Sequence, residues 1–334
     1  MTFLILGFAL SWSSGVQAEP QRIAIIRPSA EVYKEPVDHI KDSLTRAGYT
    51  CLVVELPALP AEGAGPGSGG GSATTSAPGE SDLAAPRETE RVVQQVREYG
   101  PTLIVAAGAN AAALVLHAVP KVPVVFCAVP NALDRSFLAV DTPLKSRVTG
   151  VTTDVDPKAQ IEWMRRLSPK LTRLGVLYSE NSRRTAEALA EPGKAKGISV
   201  ILIPAGKETF AAAIQELNAR QCDGALMIAD AHIYNSPNAQ ALLLWGLRGR
   251  KPVWSFSANL VKAGAFAALS AEADDLSDQT VELVKKVISG EKPEKLGLQY
   301  PRSLQRAVNR QTAKLIGISL ENRLLDEMVT FGRD

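Results

Sequence analysis

Six stretches place small polar, amide or aromatic residues directly after apolar runs. They are Pro28-Ser29 with Tyr33 close behind, Gly108-Ala109-Asn110, Ala128-Val129-Pro130, Tyr178-Ser179-Glu180-Asn181-Ser182, Asp230-Ala231-His232 and Ser255-Phe256-Ser257. Hydroxyls and amides of this kind hydrogen-bond a small polar ligand, and Tyr33, Tyr178 and Phe256 offer faces for stacking. Gly108-Ala109-Asn110 is a small-residue turn entering a helix, whose N–H groups suit a carboxylate or carbonyl oxygen. Asp230 suits an amine. The same residue types are also ordinary caps and turn formers. Asn110, Ser182 and Ser257 read equally as helix caps, Tyr33 and Tyr178 as edge packing, and Asp230 as a local cap.

Catalytic constellations are missing from the sequence. The histidines are His39, His117 and His232, and no H-E-x-x-H or Cys/His cluster suggests zinc. There is no G-x-S-x-G elbow and no G-x-x-x-x-G-K-[ST] loop. Gly65, Gly67 and Gly70 spell G-x-G-x-x-G, but they sit in a Gly/Ser/Pro-rich stretch that opens no helix directly. Asp274, Asp275 and Asp278 read as residues serving a helix N-terminus. Cys51 and Cys127 lie in apolar runs as small buried hydrophobes, and three cysteines make no disulfide framework. No enzyme, metal or cofactor is expected. A net charge of +2 provides no basic field for nucleic acid.

Positioning the six stretches requires a regular frame, and the hydrophobic pattern supplies one. Short apolar runs at 22–27, 51–55, 102–106 and 122–128 alternate with helical spacing at 36–47, 87–99 and 111–119. A second series begins near Gly150, with strands at 173–178, 200–203, 224–228 and 253–256 and helices at 159–167, 184–196, 211–220 and 239–248. The tail adds strands near 264–269 and 298–300 and helices at 276–289 and 311–316. Strands alternating with helices imply parallel sheets covered on both faces. In such sheets ligands sit at the carboxyl ends of the strands, which is where the six stretches fall. Residues 60–86 interrupt the first series with a composition that cannot bury a core.

The first residues read as an export signal. An apolar run at 3–12 is too short to span a bilayer, and Val16-Gln17-Ala18 offers small residues for cleavage before Glu19. With no cysteine near that point, a soluble periplasmic protein is expected rather than a lipid-tethered one.

Three stretches carry a family resemblance. The first is Pro101-Thr102-Leu103-Ile104-Val105-Ala106-Ala107-Gly108, leading to Val122-Pro123-Val124-Val125-Phe126-Cys127-Ala128-Val129. The second is Val148-Thr149-Gly150-Val151, leading to Arg173-Leu174-Gly175-Val176-Leu177-Tyr178. The third runs from Lys251-Pro252-Val253-Trp254 through Lys262-Ala263-Gly264-Ala265 and Ile288-Ser289-Gly290-Glu291-Lys292-Pro293 to Asn309 and Thr312-Ala313-Lys314-Leu315-Ile316-Gly317-Ile318. In order and spacing the chain resembles the ABC-transporter substrate-binding family that includes tryptophan-binding lipoproteins.

The resemblance implies an α/β fold of two doubly wound parallel-sheet lobes joined by crossover strands, of the periplasmic binding protein type I-like kind. The expected lobes are 22–130 plus about 257–292, and 150–256 plus about 296–325, after a signal peptide at 1–18. It places ligand contacts at Ser29, Gly108, Ala109, Asn110, Ala128, Val129, Pro130, Tyr178, Asn181, Ser182, Asp230, Ser255, Phe256 and Ser257. Tyr33 joins them from the residue reading. The expected function is solute binding for an ABC-type importer by a monomer that docks on a permease. The alternative is a sensor module that reports occupancy to a membrane receptor.

Overall fold

The computed structural model describes residues 21–57 and 86–332, so the expected signal peptide and nearly all of the expected insert lie outside the described residues. The chain opens with β1 (Arg22–Pro28), α1 (Lys34–Arg46), β2 (Thr50–Leu56), α2 (Pro86–Tyr99), β3 (Leu103–Ala107), α3 (Ala109–Ala118), β4 (Val124–Val129) and β5 (Val148–Thr152). It continues through α4 (Pro157–Leu167), β6 (Arg173–Tyr178), α5 (Arg183–Glu187), α6 (Ala190–Ala195), β7 (Ser199–Pro204) and α7 (Phe210–Ala219). Next come β8 (Gly224–Leu226), α8 (Ser236–Gly249), β9 (Val253–Ser255), α9 (Ala258–Lys262) and β10 (Ala267–Ala271). The remainder is α10 (Ala273–Ile288), α11 (Pro293–Leu296), β11 (Leu298–Gln299), β12 (Leu304–Asn309), α12 (Arg310–Ile316), α13 (Asn322–Leu325) and β13 (Val329–Phe331).

These strands form two sheets, ordered β11-β5-β4-β3-β1-β2 and β13-β12-β10-β9-β8-β6-β7. Pairing is parallel except between β10 and β12. Each sheet is buried on both faces, and the alternation along a strand shows why. Ala24 and Ile26 of β1 face one core with α2 and α3, while Ile23 and Ile25 face the other with α1 and α10. In the second lobe Leu174 and Val176 face one side and Leu177 the other. Fully burying each such aliphatic side chain stabilises the fold by about 1.5–3 kcal/mol.

The chain passes between the lobes three times: at 153–156 after β5, at Glu272 between β10 and α10, and at 300–303 between β11 and β12. The strand order differs from the sequence expectation at these points. The second series does not begin near Gly150, because β5 is a strand of the first sheet beside β4. Gly150 is required there: a Cβ at that position would lie 2.2 Å from the Phe126 carbonyl oxygen. Thr149, Gly150 and Thr152 also deprive this stretch of the apolar run that marks a buried strand. Likewise α9 and β10 belong to the second sheet, where β10 pairs with β9, and α10 alone returns to pack on α1. The single helix expected at 184–196 is two, α5 and α6, with Pro192 in the first turn of α6, where a missing N–H costs no hydrogen bond.

Candidate functional site

In each sheet the strand order reverses once, opening a crevice at the carboxyl ends of two neighbouring strands. In the first sheet this falls between β1 and β3, and in the second between β6 and β8. The first crevice is built from a ring and a backbone turn. Tyr33 ends a short 3-10 turn after β1, and Gly108 is the N-cap of α3 with φ +83°. A Cβ on Gly108 would lie 3.2 Å from Tyr33 Oη, so the ring covers this turn. Burial raises the Tyr33 phenol above its ordinary pKa, with the neighbouring Cys127 adding to the shift. The Gly108 N–H donates to Cys127 O at 2.8 Å, and no side chain caps α3. The first-turn N–H groups of α3 therefore carry the positive end of the helix dipole into the crevice uncapped.

Beside it, β4 ends irregularly. Its pairing with β5 shifts register between Cys127 and Val129, and Ala128 takes φ +54° and Asn131 φ +49°. Left-handed backbone at a non-glycine residue costs roughly 1–2 kcal/mol. Such strain concentrates where loops are shaped for a ligand.

The second crevice is filled by a carboxylate. Asp230, only 6% exposed, follows β8 and reaches the loop after β6. One of its oxygens accepts from Ser179 Oγ at 2.6 Å and from Ser182 Oγ, and the other accepts from His232 N at 2.9 Å. A carboxylate offers about four acceptor positions, so three bonds leave one for an incoming donor. Tyr234 lies beside it with a buried hydroxyl that has no partner, its pKa raised by burial and then by Asp230.

The carboxyl ends of the two sheets meet near the crossovers. Asn131 Nδ2 donates to Ala229 O, and Asp134 accepts from Arg184 N, Thr185 N and Thr185 Oγ1. On the first crossover Asp154 accepts from Asn131 N at 2.8 Å, Ala132 N at 2.9 Å and Thr152 Oγ1 at 2.7 Å. Burial raises its carboxyl pKa; those three donors and Arg135 pull the other way without cancelling it. Tyr300 on the third crossover is pushed up to about 12 by burial, then by Asp154 and Asp156.

The residues expected from sequence fall into three groups. Joined within one crevice are Tyr33 with Gly108, and Ser182 with Asp230; Ser255 Oγ donates to Ser257 O at 3.2 Å. At strand ends with their backbone engaged are Val129, whose O shares the one Thr152 hydroxyl proton with Asp154, and Pro130, whose O accepts from buried Arg135. Tyr178 carries the Arg183 guanidinium 5.7 Å above its ring. Ala109, Asn110, Ala128, Asn181 and Phe256 stand at the same ends, and Ser29 is exposed. The cap readings divide. Ser257 caps α9, whereas Ser182 is an N-cap residue that does not cap its helix and Asn110 lies inside α3. Sequence reasoning did not find Asp134 or Asp154. Asp134 has partners about 50 positions away and no local signal. Asp154 has a faint one, Thr152-x-Asp154, since its own N–H donates to Thr152 Oγ1.

Residues 78–330 match the family model described as ABC transporter substrate binding protein. Among curated proteins none matches the sequence. Several solved structures share the fold. An ABC domain in complex with L-Trp from Streptococcus pneumonia is 17% identical with a TM-score of 0.61, covering 93% of this chain and 100% of that one. A ligand-free, open substrate-binding protein with adhesive properties from Clostridium difficile is 15% identical with a TM-score of 0.67, covering 94% of this chain and 100% of that one. A periplasmic ribose ABC transporter from Conexibacter woesei is 11% identical with a TM-score of 0.53, covering 90% and 95%. The fold is the periplasmic binding protein type I-like one. With the family model spanning well over half of its length, the chain belongs to the ABC transporter substrate-binding protein family.

Proposed function

We propose that this protein is the periplasmic solute-binding component of an ABC importer and takes a small polar, amino-acid-like ligand between its lobes. The observation that carries the reading is the pair of switch-point crevices at facing sheet ends, one with uncapped helix donors and one with a carboxylate. The start of α3 receives the ligand's carboxylate or a similar oxygen. The remaining acceptor position on Asp230 receives an ammonium or amide N–H. Tyr33, Tyr178 or Phe256 stacks on an apolar part. The L-Trp complex of the Streptococcus structure supports an amino-acid-like ligand. Binding draws the lobes together about the three crossovers, and the closed form docks on the permease. Among the described residues no helix is long and apolar enough to cross a membrane.

Thermal unfolding of the purified chain against amino acids, purines and small organic acids tests this. A true ligand raises stability by about 2.7 kcal/mol at one hundred times its Kd, and the shift grows with concentration. No shift from the whole panel, together with no co-purified solute by native mass spectrometry, overturns it. Export is tested separately: protein recovered from the periplasm should begin at Glu19.

A further inference from the structure

Helix α5 is five residues long and cannot sustain itself by its own hydrogen-bond ladder. Its N-cap is Ser182, a residue type that ordinarily accepts from its own helix. Here it makes no such bond: its oxygen accepts from Ser179 N at 3.1 Å, and its proton is donated to Asp230. The donors at the start of α5 are taken by the opposite lobe. Asp134 Oδ1 accepts from Arg184 N at 2.6 Å, and Oδ2 accepts from Thr185 N at 3.0 Å and Thr185 Oγ1 at 2.7 Å. All three bonds cross between the lobes. Asn131, three residues earlier, makes a fourth through Ala229 O.

We propose that Asp134 is an interlobe cap that sets how readily the lobes part. It closes the start of α5 in trans, so opening on this side strips Arg184 N and Thr185 N of their acceptor. The local replacement is Ser182 Oγ, and using it means shifting an oxygen that now donates to Asp230 and accepts from Ser179 N at 3.1 Å. Helix α5 thus has two alternative caps, one from each lobe. The change of cap is wired to the hydroxyl network of the second crevice. Asp134 is a positioning residue here, acting through the population of the closed form. The proposal does not depend on the identity of the ligand or on import.

The test measures the lobes directly, in protein stripped of solute. Spin labels on Glu35→Cys and Gln240→Cys, exposed on α1 and α8, report the interlobe distance by double electron–electron resonance. Cys51→Ser removes the half-buried thiol, and the two buried thiols stay unlabelled. Loss of a helix cap shifts an equilibrium by about 5- to 30-fold. Asp134→Ala should therefore raise the ratio of long to short distances by about that factor. Asp134→Asn keeps one acceptor oxygen and shifts it less, and Thr185→Val, removing one bond of three, least. If Asp134→Ala fails to fold, the other two variants decide. Unchanged distances in Asp134→Asn and Thr185→Val overturn the proposal. So does a lowered melting temperature with unchanged distances in Asp134→Ala, since Asp134 then only stabilises α5.

Discussion

The two crevices share a plan and are filled in opposite ways. In the first lobe a tyrosine ring lies over a glycine turn, and α3 begins with no side-chain cap. In the second a buried carboxylate is held by two serine hydroxyls and a backbone N–H. One lobe leaves a helix start without a side-chain acceptor; the other pairs most of its polar groups with one another. The same switch-point arrangement therefore yields one crevice with an uncapped helix start and one whose polar groups are already paired. The strand order sets where the crevices are, and the loops set their chemistry.

The largest effect that tests this contrast is expected in the second lobe. Asp230→Ala leaves two hydroxyls and one N–H without their acceptor, at a cost of about 3 kcal/mol in urea unfolding. A loss under about 1 kcal/mol means that water serves those donors equally well, and the contrast between the lobes fails.

Gly108→Ala probes the first lobe. A side chain at φ +83°, pressed 3.2 Å from Tyr33 Oη, costs about 1–2 kcal/mol and should abolish ligand-dependent thermal stabilisation. Full retention of that stabilisation would place the anion elsewhere.

A pH series on Asp154, at the junction of the lobes, comes next. Its pKa is raised above the ordinary 3.8 by burial, so the folded chain holds this proton more tightly than the unfolded chain does. Its contribution is then complete at low pH and falls as pH rises from about 4 through the folded-state value, by at most about 1.4 kcal/mol per pH unit. Wild type minus Asp154→Asn, unfolded in urea from pH 4 to 7, should decline. A difference that grows with pH shows that the N–H and hydroxyl donors outweigh burial.

Tyr33→Phe is expected to be the mildest. The ring still covers Gly108, so stability changes by less than about 0.5 kcal/mol. A larger loss would show that the hydroxyl, rather than the ring face, shapes the crevice.

Much of this frame is legible in residue order. Most strands come from apolar runs, and the six strand-end stretches do fall at carboxyl ends of the two sheets. The exceptions have physical causes. Residues 148–152 look weakly apolar because Thr149, Gly150 and Thr152 are buried against β4 without bulk. β12 (LQRAVN) is interrupted by Gln305 and Arg306, which face outward or pack partly. Ser182 has every local feature of a helix cap, yet a carboxylate 48 residues away takes its hydroxyl.

From sequence alone, periodicity determines the α/β alternation, the two series and the candidate strand ends, because burial on both faces writes itself into short apolar runs. Tertiary structure decides which sheet receives β5, α10 and β11, and which partners Asp134, Asp154 and Asp230 hold. Most of those partners lie tens of residues away, and a carboxylate's sequence neighbours carry no record of the distant donors that folding brings to it.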